Sequence, residues 1–186
     1  MNERPKYPHA QALIVAEQLQ ARLAPACERI AIVGSLRRQK PQVGDIELLF
    51  ISRISTRPDG LFDRVETLVA HEIIEQMLMD GTLEKRPNVD GHFTWGEANK
   101  LAIHKASGIP VDFFTTTAPA WWVALVIRTG SKETNLKLTM GAQKQSARLM
   151  AYGVGVRWSN GEVTPAASEE HVFELCGVPY RKPEER

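Results

Sequence analysis

The hydrophobic pattern changes period several times along the chain, and each change marks an element. Leu13, Ile14, Leu19 and Leu23 fall at helical spacing in an Ala-rich stretch, which predicts an amphipathic helix over 8–23. Residues 29–33 form a short apolar strand that ends at Gly34-Ser35. After a polar loop over 36–44, a second strand is expected over 45–51. Apolar residues return at helical spacing over 61–79 and stop at Asp80-Gly81, a natural helix terminus. Residues 101–103 and 111–115 flank a Ser-Gly turn and read as a hairpin whose second strand carries Asp112. Pro119 then opens an apolar helix over 120–128, and Ser131 caps a second, more basic one. A hairpin over 154–158 and 162–164, turning at Asn160-Gly161, precedes a last helix capped by Ser168 and stopped at Gly177. This order predicts a sheet domain of α/β or α+β type over 1–117, followed by a smaller mixed domain over 118–186.

Composition narrows the class. With 186 residues, 43% hydrophobic and 24% charged, the chain can bury a core for one domain and a small appendage. Residues 1–8 lack the apolar stretch of a signal peptide, and the longest apolar run, 118–127, is too short to span a bilayer, so a cytosolic protein with no membrane partner is expected. Cys27 and Cys176 form no C-x-x-C pair and read as buried, reduced thiols. A net charge of +1 argues against an indiscriminate nucleic-acid binder. The charges are unevenly placed, however: 1–40 carries +4 and 121–160 carries +5, around a middle segment of −5. Such basic flanks suit a protein that holds a polyanion around an acidic site, although solvated surface charge gives the same pattern. His71, His92 and His104 share no metal-ligand spacing. Trp121, Trp122, Phe113 and Phe114 read as packing residues. No apolar helical seam is left over once the core faces are assigned, so a monomer is expected.

The chemistry concentrates in Gly34-Ser35-Leu36-Arg37-Arg38, followed six positions on by Gly44-Asp45-Ile46-Glu47-Leu48-Leu49. On a strand, Asp45 and Glu47 project from one face while Ile46 and Leu48 enter the core. Two acids side by side repel unless a cation sits between them, and a pair of Mg²⁺ ions, or Mn²⁺, suits such carboxylates. Asp112 on a neighbouring strand is the candidate third ligand. Gly34-Ser35 lets backbone N–H groups and a hydroxyl approach phosphate closely, and Arg38 can grip it with a planar fork.

These residues resemble the nucleotidyltransferase superfamily, and the chain as a whole resembles the palm and thumb of the X family of DNA polymerases. Lys6-Tyr7-Pro8 is similar to the basic-x-Pro element before the palm helix. Thr129-Gly130-Ser131 with Asn135 is similar to the segment that opens the thumb's nucleotide-facing helix, and Tyr152 and residues 177–186 also fit. The resemblance implies an α+β fold, a mixed-sheet palm with helices packed on it over 1–117 and a small thumb-like α/β subdomain over 118–186. It implies a DNA polymerase with two Mg²⁺ ions held by Asp45, Glu47 and Asp112, acting on a dNTP and on primer-template or gapped DNA in short-gap repair. Asp112 would help deprotonate the primer 3′-hydroxyl. Ser35 and Arg38, with Gly34, Gly44 and Lys6, would meet the triphosphate. Thr129, Gly130, Ser131, Lys132 and Asn135 would line the sugar and base, and Lys137, Lys144 and Arg148 would face the DNA backbone.

Three positions depart from the family pattern. Glu47 replaces the usual Asp, which puts metal spacing in question. Ile127-Arg128 replaces an aromatic pair that helps exclude ribonucleotides, so weak sugar discrimination is expected. Pro110 stands where a basic residue often precedes the third Asp, so help with the primer terminus is expected to be missing. The length resembles the minimal palm-and-thumb members found in some viruses, so no amino-terminal lyase domain is expected. Two other functions compete with the polymerase: nucleotidyl transfer to a non-DNA acceptor, and a non-catalytic nucleotide- or DNA-binding module.

Overall fold

A computed structural model describes residues 5–59 and 63–186, and Met1, Asn2, Glu3 and Arg4 lie outside them. The chain folds as α+β. Strand β1 (Tyr7–Pro8) leads into helix α1 (His9–Leu23), followed by β2 (Cys27–Ile32), the single turn α2 (Gly34–Arg37), β3 (Gln42–Val43) and β4 (Ile46–Ser52). A hairpin, β5 (Ile54–Asp59) and β6 (Asp63–Leu68), precedes α3 (Val69–Met79). Then come β7 (Leu83–Lys85), β8 (Asn99–His104) and β9 (Ile109–Thr115). The carboxy-terminal part contains α4 (Trp121–Thr129), α5 (Lys132–Lys144), β10 (Ala147–Leu149), β11 (Gly155–Trp158), β12 (Val163–Pro165) and α6 (Glu169–Leu175).

The central sheet has the order β2-β4-β9-β8-β7, and only β4 and β9 run parallel. Its two faces follow from alternation. Ile46, Leu48 and Phe50 of β4 and Val111 and Phe113 of β9 are buried against α1 and α3, in a cluster with Leu19, Leu23, Ile74 and Met77. Leu49, Ile51 and Phe114 point the other way and pack with Val33 under Trp121 and Leu125 of α4. Each fully buried side chain of this size contributes about 1.5–3 kcal/mol, which pins the strand register and with it everything on the second face. A separate cluster, including Leu138, Val156 and Phe173, holds α4, α5 and α6 to the three-stranded sheet β10-β11-β12.

Most expected elements are present with shifted ends. Both thumb-like helices are capped as expected: the Ser131 hydroxyl accepts from the Thr134 N–H and the Ser168 hydroxyl from the His171 N–H. Gly177, with φ of +62°, follows α6. The helix expected over 61–79 is corrected. It starts only at Val69, and Asp63–Leu68 is a strand paired along its length with β5, while Leu61 and Phe62 lie outside the described residues. The expected loop over 36–44 contains the end of α2 and strand β3, which pairs with β1. Trp121 is buried, as are both cysteines, which are free thiols. Among the described residues no helix is long and apolar enough to cross a membrane.

Candidate active site

Asp45, Glu47 and Asp112 become neighbours through strand register. Glu47 on β4 lies directly opposite Asp112 on β9, and Asp45 immediately precedes β4. Their flanking residues Ile46, Leu48, Val111 and Phe113 are all driven into the core, so the acids emerge on the opposite face. The row continues across the sheet. Leu101 of β8 pairs with Asp112, and the backbone N–H of Arg86, just past β7, donates to the Leu101 carbonyl at 3.1 Å. From that end of the row Arg86 reaches over and donates to Asp112 Oδ1. Among the described residues no three Asp, Glu, His or Cys side chains are gathered tightly enough to grip an ion by themselves.

Burial, then the charges of Asp45 and Asp112, push the Glu47 carboxyl up to about 8, against the opposite pull of Arg128 and Arg38. Burial likewise raises Asp112 to about 6 even with Arg86 on it. Three hard oxygen donors in a half-buried row, two of them with carboxyls that burial holds above their ordinary range, are a donor set suited to a divalent cation such as Mg²⁺. A stability prediction follows for the metal-free protein. Folded Glu47 holds its proton more tightly than the ordinary value of 4.5, so its favourable contribution is complete below pH 4.5 and is lost as pH rises toward about 8. Glu47→Gln is therefore expected to melt like wild type near pH 4.5 and above it at pH 8, in thermal scans with chelator present. A gap that fails to widen with pH would contradict the crowding.

A second wall of the site starts at Gly34. Its φ is +66°, and a methyl group there would lie 1.7 Å from Glu47 Oε2, so only glycine lets the turn and the carboxylate approach so closely. The Ser35 hydroxyl and Arg38 Nε are buried without a hydrogen-bond partner, two polar groups left for a ligand. Arg38 also donates to the Thr129 carbonyl, and one of its Nη atoms lies 3.0 Å from where a Cβ of Gly130 would be. Gly34, Ser35, Arg38 and the Thr129-Gly130-Ser131 turn thus form one wall beside Glu47. Thr129 itself is buried, and its hydroxyl accepts from Arg37 at 2.7 Å. Asn135 donates to the Ile127 carbonyl at 2.8 Å and keeps a buried Oδ1 unpartnered. Lys132 is exposed at the start of α5. On the other flank Lys6, Gly44 and Asp45 line a cleft of about 380 Å³ with Arg86 and Asn88.

Lys137 and Lys144 are exposed on α5 beside Gly177 and Val178, and Arg148 is exposed on β10 opposite Arg157. None of the three lines the cleft beside Asp45. Several residues without an assigned role in the sequence reading also meet here. Arg128 stacks on Phe114 with its guanidinium carbon 3.6 Å from the ring centroid, and it faces Tyr152 at 5.7 Å. Arg37, already quoted beside Arg38, donates to Glu169 of α6, which also accepts from Arg186 at 3.2 Å. Nothing local in the sequence points to these long-range pairs.

Residues 124–186 match the family model described as the DNA polymerase beta thumb. The chain is 27% identical to DNA polymerase lambda of Rattus norvegicus over 82% of its own length, and 26% identical to the DNA polymerase/3′-5′ exonuclease PolX of Bacillus subtilis over 97%. The fold superposes on Leishmania infantum polymerase beta, solved as a ternary P/T complex, with a TM-score of 0.74 and 19% identity, covering 98% of this chain and 77% of that one. These likenesses are to DNA polymerases of the X family, in the thumb match and in sequence along most of the chain. The chain spans 28% of the length of each of those two curated relatives. The matched thumb segment begins within α4, the helix whose Arg128 acts on the charges of Glu47 and Asp112.

Proposed function

We propose that this chain is an X-family DNA polymerase that transfers a nucleoside monophosphate from a dNTP to a primer 3′-hydroxyl, in repair synthesis across short gaps. The observation that carries this reading is the side-by-side placement of Glu47 and Asp112, next to Asp45 and to the Gly34-Ser35 turn with its unpartnered polar atoms. Residues 1–117 act as palm and 118–186 as thumb. Asp45, Glu47 and Asp112 would hold two Mg²⁺ ions, or Mn²⁺, and the chemistry supplied there is neutralisation of triphosphate charge and activation of the attacking hydroxyl.

The protein's own groups do the rest. The Ser35 hydroxyl and Arg38 donate to the triphosphate, while Gly34 removes the bulk that would keep it from Glu47. Lys6 and Gly44 approach the same phosphates from the cleft beside Asp45. Gly130, Ser131, Lys132 and Asn135 border the nucleoside, and Thr129 supports them through its two arginine contacts, its hydroxyl accepting from Arg37 and its carbonyl from Arg38. Asp112 is placed to take the proton of the primer hydroxyl as its oxygen bonds to the α-phosphorus and the bond to pyrophosphate breaks. Lys137, Lys144 and Arg148 supply charge for the DNA backbone at a distance from the chemistry.

The test is extension of a labelled primer across a one-nucleotide gap, with Mg²⁺ or Mn²⁺ and each nucleotide in turn. Template-matched incorporation is expected, with ribonucleotides used comparatively well because Ile127-Arg128 provide no aromatic pair against the 2′-hydroxyl. Products formed equally without template would favour another acceptor, and no product with either metal would leave only a binding role.

A further inference from the structure

We propose that Arg86 is the resident counter-cation of the carboxylate row: by pairing with Asp112 it holds down affinity for a free divalent cation. This rests on the reading that Asp45, Glu47 and Asp112 are the cation ligands. Position 110, where a positive charge beside Asp112 would be simplest to place, is a proline, and the charge arrives instead from the far end of the row. Arg86 follows β7, its backbone is tied to Leu101, and its guanidinium crosses to Asp112 Oδ1. The pair is poorly hydrated, with side chains 20% and 14% exposed, so the arginine charge is screened little. A cation entering the row must share Asp112 with a positive group already bound to it, or displace that group.

The guanidinium has little to lose by moving. Apart from Asp112 it donates to the Pro87 carbonyl at 3.4 Å, and its Nε is buried without a partner. Beside it lies the cleft lined by Lys6, Asp45, Asn88 and Pro110, with room for a displaced side chain. The consequence is an ordering of events. A free cation binds the row weakly, whereas one that arrives with the negative charge of a triphosphate is repelled less.

The experiment measures Mn²⁺ alone, with no nucleotide or DNA, by the electron-spin-resonance signal of the free ion, in wild type, Arg86→Gln, Arg86→Lys and Asp112→Asn. Removing one positive charge from beside the site is expected to tighten Mn²⁺ binding by roughly tenfold in Arg86→Gln, while Arg86→Lys stays within about twofold of wild type. Unchanged or weaker binding in Arg86→Gln overturns the counter-cation role while leaving the ligand assignment standing. Mn²⁺ binding that is absent, or equal in wild type and Asp112→Asn, overturns the ligand assignment and this inference with it. Should Arg86→Gln fold poorly, the ¹⁵N signal of the Arg86 guanidinium in wild type decides: Mg²⁺ saturation is expected to shift it, and an unmoved signal overturns the proposal.

Discussion

Asp112→Ala is expected to lower template-directed incorporation by at least about a thousandfold while the chain remains folded. The loss is large because the side chain stands at the meeting point of both halves of the proposed reaction, opposite Glu47 and within reach of Asp45's charge. The fold tolerates the change because β9 is held by its ladders to β4 and β8 and by buried Val111 and Phe113, none of which involves the carboxylate. Two smaller effects oppose each other. Arg86 loses its acceptor in a largely buried setting, which costs about 1–3 kcal/mol. Glu47 loses one of the charges that oppose its ionisation, which relieves the row. Single-nucleotide incorporation and a melting curve on the same preparation check both halves. Activity within tenfold of wild type in a normally melting variant would end the assignment of Asp112 to the chemistry.

The site was more legible in the sequence than the support around it, for reasons of range. Gly34-Ser35 and Asp45-Ile46-Glu47 are read correctly as a turn and a strand because alternation is local, and the Ser107-Gly108 turn places Asp112 on its strand for the same reason. The segment 63–68 misled because Val65 and Leu68 are three apart, which suits helical spacing, and the pairing with the partner strand β5 overrides that local signal. Arg86 lies 26 residues before Asp112, and their contact depends on the register of β7, β8 and β9 together. Arg37 and Glu169 lie 132 residues apart and meet only because α4 and α6 pack beside the Gly34–Arg37 turn. Pro110 places no charge two residues before Asp112, and the register of β7, β8 and β9 brings one from Arg86 instead.

The long-range contact at Glu169 carries the second large prediction, and it concerns stability. Glu169 is the first residue of α6 and is only 7% exposed, and its carboxylate accepts from Arg37 Nη1 at 2.9 Å and from Arg186 Nη1 at 3.2 Å. Arg37 in turn donates to Thr129 at the end of α4, so a single carboxylate ties the phosphate-side turn, α4 and α6 together. Burial opposes ionisation of Glu169, yet the hydrogen bonds and charges of Arg37 and Arg186 prevail and its pKa is lowered. Glu169→Ala strands two guanidinium groups in a dry setting, and removal of one partner from such a pair costs about 3–5 kcal/mol. For a chain of this length that is a fall of about 10 °C in melting temperature, measured at pH 7. The contribution should be present above the ordinary carboxylate value of 4.5 and vanish as pH falls through the lowered value, so wild type and variant should converge on acidification. Because Arg38 is held to the Thr129 carbonyl next to this network, loss of Glu169 should also loosen the wall proposed to face the triphosphate. KM for nucleotide is then expected to rise more than kcat falls, whereas loss of a ligand such as Asp112 acts on kcat. If Glu169→Ala melted with wild type at pH 7, the tie between turn and thumb would carry no energy, and alignment of Arg38 would have to come from the helices' apolar packing alone.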